Sequence, residues 1–214
     1  MTPRLLAALL FCPLAVSVAQ QPIAPGVVVS GTLSFDGRAT LGDFIGKTDS
    51  VLGTMTGGAS LAEVRGSVSA PVSSLVTGNG KRDKDLRKSM ESDQYPTIRF
   101  DLDRTEVLQA GPDSTMVRLR GRLTIHGVQK EVAPVARLQF QPGGGTTLVT
   151  DFPVNLKDYR IGGLSKVLGL LKMHPDIVVH VRLRFGPATG AGDRVGASPV
   201  GTPPSPGWSR RDGG

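Results

Sequence analysis

Apolar and charged residues alternate along much of this chain, and this alternation constrains its fold more than any other feature. The pattern is cleanest at positions 117–125, where every second residue is apolar or glycine and the residues between are arginine or threonine. The apolar face there holds Val117, Leu119, Gly121, Leu123 and Ile125. A period of two residues is typical of a β-strand that buries one face and exposes the other. The chain is therefore predicted to form a sheet with one apolar and one charged face.

About eight segments show this period, and turn signals such as Ala110–Asp113 separate them. Helical patterns do not alternate with these strands, which argues against a parallel α/β sheet. Two short helices are expected, a charged one near Lys81–Lys88 and an apolar one at Leu164–Met173. An antiparallel sheet of this kind forms a sandwich or closes into a barrel. We predict an all-β fold, and about eight strands suit a barrel that holds one small apolar ligand.

The N-terminal segment has the composition of an export signal. Residues 1–19 contain Arg4, then the apolar run Leu5–Val18, and end in the small residues that a signal peptidase requires. Cleavage after Ala19 is expected. An uncleaved anchor helix is the alternative, but the run is short for a membrane span and contains Pro13. We expect a periplasmic or secreted protein.

Residues 20–185 carry all the strand patterns and form one predicted domain. Residues 186–214 are rich in Gly, Pro, Ser and Ala without any periodicity, which predicts a disordered tail. The only cysteine, Cys12, lies in the signal segment, so the mature protein is expected to have no disulfide and no thiol chemistry.

The inventory of reactive residues argues against an enzyme. The sequence has no G-x-S-x-G turn and no histidine or acidic spacing typical of a metal site. His126 ends a strand, where a structural hydrogen bond is the better interpretation, and His174 and His180 are interpreted as solvated. We predict no catalytic residues, no metal and no cofactor.

The net charge of +7 permits a nucleic-acid partner but does not require one. Proteins that bind single strands place aromatic side chains among the basic ones, so that bases can stack on them. Here Phe35, Phe100, Phe140 and Phe185 fall on the apolar faces. We therefore predict no nucleic-acid partner and interpret the arginine rows as a solvated exterior.

Three motifs, in order, resemble the signature of the YceI-like family. They are T-G-N-G-K-R-D-K-D-L-R at 77–87, Y-P-T-I-R-F at 95–100 and L-T-I-H-G-V-Q-K-E-V at 123–132, and the resemblance extends over about Val27–Phe185. It implies an extended, lipocalin-like antiparallel β-barrel in the bacterial periplasm. Members of this family enclose a long isoprenoid chain, such as a polyprenyl or ubiquinone-type lipid. An apolar lipid is therefore the expected partner.

The positions that match the family signature are expected to be mainly architectural. They are Arg82, Asp83, Leu86, Pro96, Thr124, His126 and Gly127. The chain departs from the family pattern after Phe35, where no histidine follows, and retains only part of a late turn at Asp158, Tyr159 and Ile161. A fold carries over across such changes, whereas ligand identity does not.

The residues expected to line the barrel come from the apolar faces of the predicted strands. They are Val29, Leu33, Phe35, Val68, Ile98, Phe100, Leu119, Gly121, Leu123, Leu138, Phe140, Val179 and Val181. Glycines on these rows, such as Gly31, Gly66 and Gly121, would leave space for a ligand.

Two segments have more than one interpretation. Lys81–Lys88 could hold a phosphate, but its mixed charges favour a salt-bridged helix that fixes the wall or rim of the barrel. Leu164–Leu171 could make transient membrane contact or could cap the core. The same alternation also fits a solid-cored envelope protein that binds a protein partner without any lipid. Enzymatic modification of an isoprenoid has no candidate residues.

Overall fold

The computed structural model describes residues 22–40, 42–162 and 173–188. Within these ranges the chain forms ten β-strands, one α-helix and three short 3-10 helices. The strands are β1 (Gly26–Gly37), β2 (Phe44–Thr48), β3 (Leu52–Met55), β4 (Gly66–Pro71), β5 (Thr97–Ala110), β6 (Thr115–Ile125), β7 (Val128–Val132), β8 (Val135–Phe140), β9 (Thr146–Asn155) and β10 (Asp176–Pro187). The helix α1 spans Gly80–Ser89.

The strands close into an antiparallel barrel. They follow the order β10-β9-β8-β6-β5-β4-β3-β1, and β1 pairs again with β10. Strands β2 and β3 pair with different parts of β1 and together occupy one strand position in the barrel. In the same way, β7 and β8 pair with different parts of β6 and together occupy one position. The ten strands thus occupy eight positions, which confirms the predicted barrel.

Pro134 explains one of these interruptions. It lies between β7 and β8, and proline has no N–H group to donate to a sheet. Its carbonyl oxygen still accepts a hydrogen bond of 2.9 Å from the N–H of Leu119 on β6. The strand therefore breaks at Pro134 but keeps its place in the wall.

The alternation in β6 places its apolar residues inside the barrel. Val117, Leu119, Leu123 and Ile125 are all buried, whereas the arginines between them reach the outer surface. Removal of apolar surface from water drives this arrangement. The facing predicted for this strand is confirmed.

The alternation fails once in β1. The register with β10 shifts between Val28 and Ser30, so Val29 is the extra residue of a β-bulge. Val28 packs inside, while Val29 is 55% exposed. The prediction that Val29 lines the interior is wrong, because one inserted residue moves it to the opposite face.

Different segments cover the two ends of the barrel. We call one the helix end, where α1 and the 3-10 helices Val72–Ser74 and Leu156–Tyr159 connect strands. We call the other the hairpin end, where the 3-10 helix Leu61–Glu63 and the turn between β5 and β6 lie. Each end can therefore differ from the other in charge and in access to the interior.

Helix α1 is held by contacts at its N-terminal half. The side chain of Asn79 accepts hydrogen bonds from the backbone N–H groups of Lys81 and Arg82, which caps the helix. Asp83 accepts hydrogen bonds from the N–H and hydroxyl of Thr77, at 2.8 and 2.6 Å. The guanidinium of Arg82 lies 4.2 Å from the ring centroid of Phe44, a cation–π contact. The predicted charged helix is present, and Arg82 and Asp83 find these partners outside it.

His180 links three strands across the closure of the barrel. Its Nδ1 lies 2.6 Å from Oδ1 of Asp151 on β9, and its Nε2 lies 3.2 Å from Oδ2 of Asp36 on β1. The prediction of a simply solvated histidine is therefore wrong. The hydrogen bond to Asp151 raises the pKa of His180 above its ordinary value of 6.5, and Asp36 acts in the same direction.

This pairing predicts a pH-dependent stability. The contribution of His180 is fully present below pH 6.5 and is lost as the pH rises through the raised folded-state pKa. Urea unfolding at a series of pH values from 6.5 upward should show that the free energy of unfolding of the wild type falls as the pH rises. The fall should be smaller in His180→Asn. His174→Asn, in an exposed loop, is the control and should follow the wild type. Identical pH profiles for wild type and His180→Asn would contradict the role of this link.

Arg82→Ala should lower the free energy of unfolding by about 1 kcal/mol, because it removes the cation–π contact with Phe44. Lys84→Ala, at an exposed position of the same helix, should change stability little. Denaturant unfolding of the two variants would measure the difference. If Arg82→Ala instead lost a bound ligand while its stability stayed unchanged, Arg82 would have a role in ligand binding and not in stability.

Candidate ligand-binding site

The barrel encloses a cavity of about 210 Å³ that reaches from one end to the other. Leu61 and Val64 line it at the hairpin end, and Leu86 and Met90 line it at the helix end. Between them, residues of β1, β3, β4, β5, β6, β8, β9 and β10 form the wall. The cavity is therefore a property of the whole barrel and not of one loop.

The wall has no charged side chain among the described residues. Its polar members are all Ser or Thr: Thr54, Ser67, Ser69, Ser89, Thr105, Thr146 and Thr150. The hydroxyl of Thr150 is already used, since it donates a 2.8 Å hydrogen bond to the carbonyl of Val135. A buried water needs two to four polar partners, and apolar cavities of this kind stay dry or take apolar molecules. The chemistry of the wall suits an apolar ligand.

Several inward side chains are only partly buried. Leu33, Val68, Phe100, Val179 and Val181 all face the interior, yet each keeps accessible surface there. Protein interiors normally pack densely and leave few voids larger than a water molecule. The interior of this barrel is therefore not a fully packed core.

All but two of the predicted lining residues lie in the cavity wall. The residues that do lie in the wall are Leu33, Phe35, Val68, Ile98, Phe100, Leu119, Leu123, Leu138, Phe140, Val179 and Val181. Phe140 sits at the hairpin end and is also 49% exposed, so it belongs to both the wall and the rim. Contact of these residues with a ligand stays a prediction.

The two exceptions are Val29, on the outer surface, and Gly121. A Cβ atom at Gly121 would lie 2.7 Å from Cζ of Phe100 and would also collide with the carbonyl oxygen of Asp101. The space beside Gly121 is thus filled by the ring of Phe100. Gly31 similarly gives room to Leu183, at 2.6 Å from a built Cβ. For Gly31 and Gly121 the prediction that glycine leaves space for a ligand is wrong, because both make room for neighbouring side chains. Gly66, by contrast, does line the cavity.

Sequence reasoning missed the residues that line the helix end. Leu75, Met90, Ile161 and Met173 lie in turns or at the end of α1, where a period of two gives no signal. Leu86, which the sequence predicts to be architectural, also lines the cavity. Its spacing of four from Met90 places both on one helix face, which could have indicated them.

His126 and Gly127 form the turn between β6 and β7. Their φ angles of +51° and +70° belong to the left-handed region, which favours glycine at the second position. A Cβ on Gly127 would also collide with the ring of Tyr95. The Nδ1 of His126 lies 3.1 Å from the carbonyl oxygen of Tyr159, which confirms the predicted structural hydrogen bond. Tyr159 is itself buried, and this burial raises the pKa of its phenol, so the side chain is neutral at neutral pH.

The other signature residues also have structural contacts. The carbonyl oxygen of Pro96 accepts a 2.8 Å hydrogen bond from the N–H of Val72, which ties the start of β5 to the preceding 3-10 helix. The hydroxyl of Thr124 lies 3.5 Å from Nε2 of Gln129 across the hairpin. These positions shape the helix end of the barrel.

In the described ranges, no group of three or more His, Cys, Asp and Glu side chains could hold a metal ion. None of the helices in those ranges is both long and apolar enough to cross a membrane. The predicted signal peptide, the Leu164–Leu171 segment and residues 189–214 of the predicted tail lie outside the described residues. The predicted start of the tail at position 186 is too early, because β10 continues to Pro187.

The family model of the YceI-like domain matches residues 27–185. The chain belongs to the YceI-like family. No curated protein matches it. Among solved structures, it is similar to BcnA from Burkholderia cenocepacia, with a TM-score of 0.60, 16% identity and coverage of 72% of this chain and 95% of that one.

Two further structures share the fold. One is a polyisoprenoid-binding domain from Saccharophagus degradans, implicated in plant cell wall breakdown, with a TM-score of 0.63, 14% identity and coverage of 77% and 99% of the two chains. The other is the YCEI protein of Campylobacter jejuni, with a TM-score of 0.50, 17% identity and coverage of 65% and 82%. At these identities the likeness establishes the barrel fold.

The packing at Gly121 predicts that even a methyl group there is costly. Gly121→Ala should lower the free energy of unfolding by about 1–3 kcal/mol, because Phe100 and the β5 backbone would have to shift. Gly80→Ala, at the start of α1, is the control for the added methyl group, since a Cβ at Gly80 meets nothing within 4 Å, and it should not lower stability. Denaturant unfolding would compare them. Equal stability of Gly121→Ala and wild type would show that the ring of Phe100 moves freely into the cavity.

Proposed function

We propose that this protein binds an apolar lipid, a polyisoprenoid or isoprenoid quinone, inside the barrel and acts as a carrier or store without catalysis. The observation that carries this proposal is the end-to-end cavity with no charged side chain in its described wall. The related domain from Saccharophagus degradans, which is named as polyisoprenoid-binding, supports the class of ligand. Membership of the YceI-like family supports binding as the activity.

Burial of apolar surface supplies the affinity in this proposal. At about 25 cal/mol per Å², an isoprenoid chain that buries several hundred Å² gains on the order of 10 kcal/mol before the costs of ordering. Few polar contacts are needed, which agrees with a wall whose polar side chains, among the described residues, are all serine or threonine. Isoprenoid methyl branches also suit a wall of Leu, Val, Ile and Phe side chains.

The cavity volume limits how the ligand is held. At about 210 Å³ it is smaller than the roughly 300–1,000 Å³ typical of small-molecule pockets. A long chain would therefore extend beyond the cavity through one end, or the segments that cover an end would move aside. The proposed place of action is the cell envelope, reached through the predicted signal peptide at residues 1–19.

Filling the cavity tests the proposal. Val181 is partly buried and faces the cavity from β10, so Val181→Phe should occupy ligand space and lower the bound fraction several-fold. Val178→Phe is the matched control, because it makes the same change on the outer face of the same strand. Native mass spectrometry of each protein, followed by lipid extraction, would measure the bound fraction and identify the lipid.

The expected result is a co-purified isoprenoid lipid in the wild type and in Val178→Phe, and its loss from a folded Val181→Phe. Circular dichroism would establish that each variant is folded. A wild-type barrel that stays empty in repeated preparations, and takes up no added polyprenol, would overturn the proposal. Equal lipid content in the two variants would place the lipid outside the cavity.

A further inference from the structure

The outer surface carries an arginine cluster that lipid binding in the cavity does not explain. Arg104, Arg118 and Arg120 surround one carboxylate, Glu106, on β5 and β6. The hydrogen bond from Arg120 lowers the pKa of the Glu106 carboxyl, which keeps it charged. Three cations share one anion, so the cluster keeps an excess of positive charge.

Arg137, Arg182 and Arg184 extend this cluster around the barrel. Arg137 on β8 and Arg182 on β10 are both register partners of Val149 on β9. Adjacent strands lie about 4.8 Å apart, so the backbones of Arg137 and Arg182 are about 10 Å apart. Within the described part of the chain, none of the three guanidinium groups has a carboxylate partner.

We name these six residues the arginine band: Arg104, Arg118, Arg120, Arg137, Arg182 and Arg184. They occupy the half of the wall nearer the hairpin end, on β5, β6, β8 and β10. Outside the band, acidic side chains outnumber basic ones among the described residues. The net positive charge of the described chain therefore comes from the band, and helix α1 carries a second, smaller excess of basic residues at the helix end.

Exposed apolar side chains lie among and beside these arginines. Five of the large hydrophobic residues with at least 40% exposure are on this half: Val29, Val107, Leu108, Val135 and Phe140. Val135 is the register partner of Arg118, and Val29 precedes Ser30, the partner of Arg184. Phe140 lies at the rim and lines the cavity as well. The basic surface thus adjoins an apolar rim at the mouth of the cavity.

We propose that the arginine band and the rim at Phe140 dock the barrel on a membrane that contains anionic phospholipids. Guanidinium groups match phosphate oxygens in paired hydrogen bonds, and the apolar rim residues can enter the region between headgroups and acyl chains. The purpose of the contact rests on the proposed function, because an apolar cargo could then pass between bilayer and cavity without crossing water. The docking itself does not depend on the cargo.

A membrane accounts for this surface better than the other anionic partners. A single strand of nucleic acid would require aromatic side chains among the arginines, and Phe140 is the only exposed aromatic residue on this half of the described barrel. An acidic protein would use the arginines but would leave the exposed rim beside the cavity mouth without a role. The bilayer uses both the charges and the apolar rim.

The test compares two triple variants of the full mature protein that lose the same charge. Arg137→Gln, Arg182→Gln and Arg184→Gln together remove the band members that have no ion pair. Lys81→Gln, Lys84→Gln and Lys88→Gln together remove three exposed cations of α1, at the helix end. Vesicles of phosphatidylcholine mixed with phosphatidylglycerol, and vesicles of phosphatidylcholine alone, would be used in flotation assays.

The wild type should float with the anionic vesicles and not with the neutral ones. A basic residue near an anionic surface is worth about fivefold in affinity, so the arginine variant should bind on the order of a hundredfold more weakly. The lysine variant should bind like the wild type. Added salt should weaken binding of the wild type, because the contact is electrostatic at the outer surface.

Three results would overturn the docking surface. They are no flotation of the wild type, equal flotation of wild type and arginine variant, or equal losses in both triple variants. Binding to soluble polyglutamate as tight as to the vesicles would assign the band to an acidic protein instead. Native mass spectrometry distinguishes this inference from the proposed lipid binding. A protein that carries lipid but does not float would contradict only the docking proposal. A protein that is empty but floats would contradict only the proposed lipid binding.

Discussion

The pairing of β1 with β10 is the contact on which the rest of the structure depends. It turns an open sheet into a closed barrel, pairs the two strands that would otherwise be its outer edges and gives the apolar strand faces a common interior. His180 adds a polar link across the same closure, between Asp151 on β9 and Asp36 on β1. The cavity exists because eight strand positions enclose more volume than their own side chains fill.

Much of the fold could be predicted because alternation is a local signal. The facing of β6 follows directly from a period of two, and Pro134 marks the break in the wall for a chemical reason that is visible in the sequence. Val29 could not be placed this way, since a β-bulge is defined by the partner strand and not by the residues themselves. One such insertion reverses a face without any change in composition.

The candidate site shows the same limit in three dimensions. A glycine in an apolar row indicates that something comes close, but the sequence does not say whether it is a ligand or a neighbour. At Gly121 it is the ring of Phe100, so the glycine helps to position the wall. At the helix end, Leu75, Ile161 and Met173 converge from segments that are distant in sequence and have no shared period. Only closure of the barrel brings them together.

The charges of the exterior follow a different rule from the apolar interior. Alternation requires only that outward positions be polar, so Arg, Lys, Asp or Glu would serve the fold equally well at most of them. The concentration of arginine around Glu106, and its continuation to Arg137 and Arg182, is therefore not a consequence of folding. A guanidinium left without a carboxylate adds little to stability, because it is solvated equally well in the unfolded chain. Such residues are better explained by what approaches the barrel from outside.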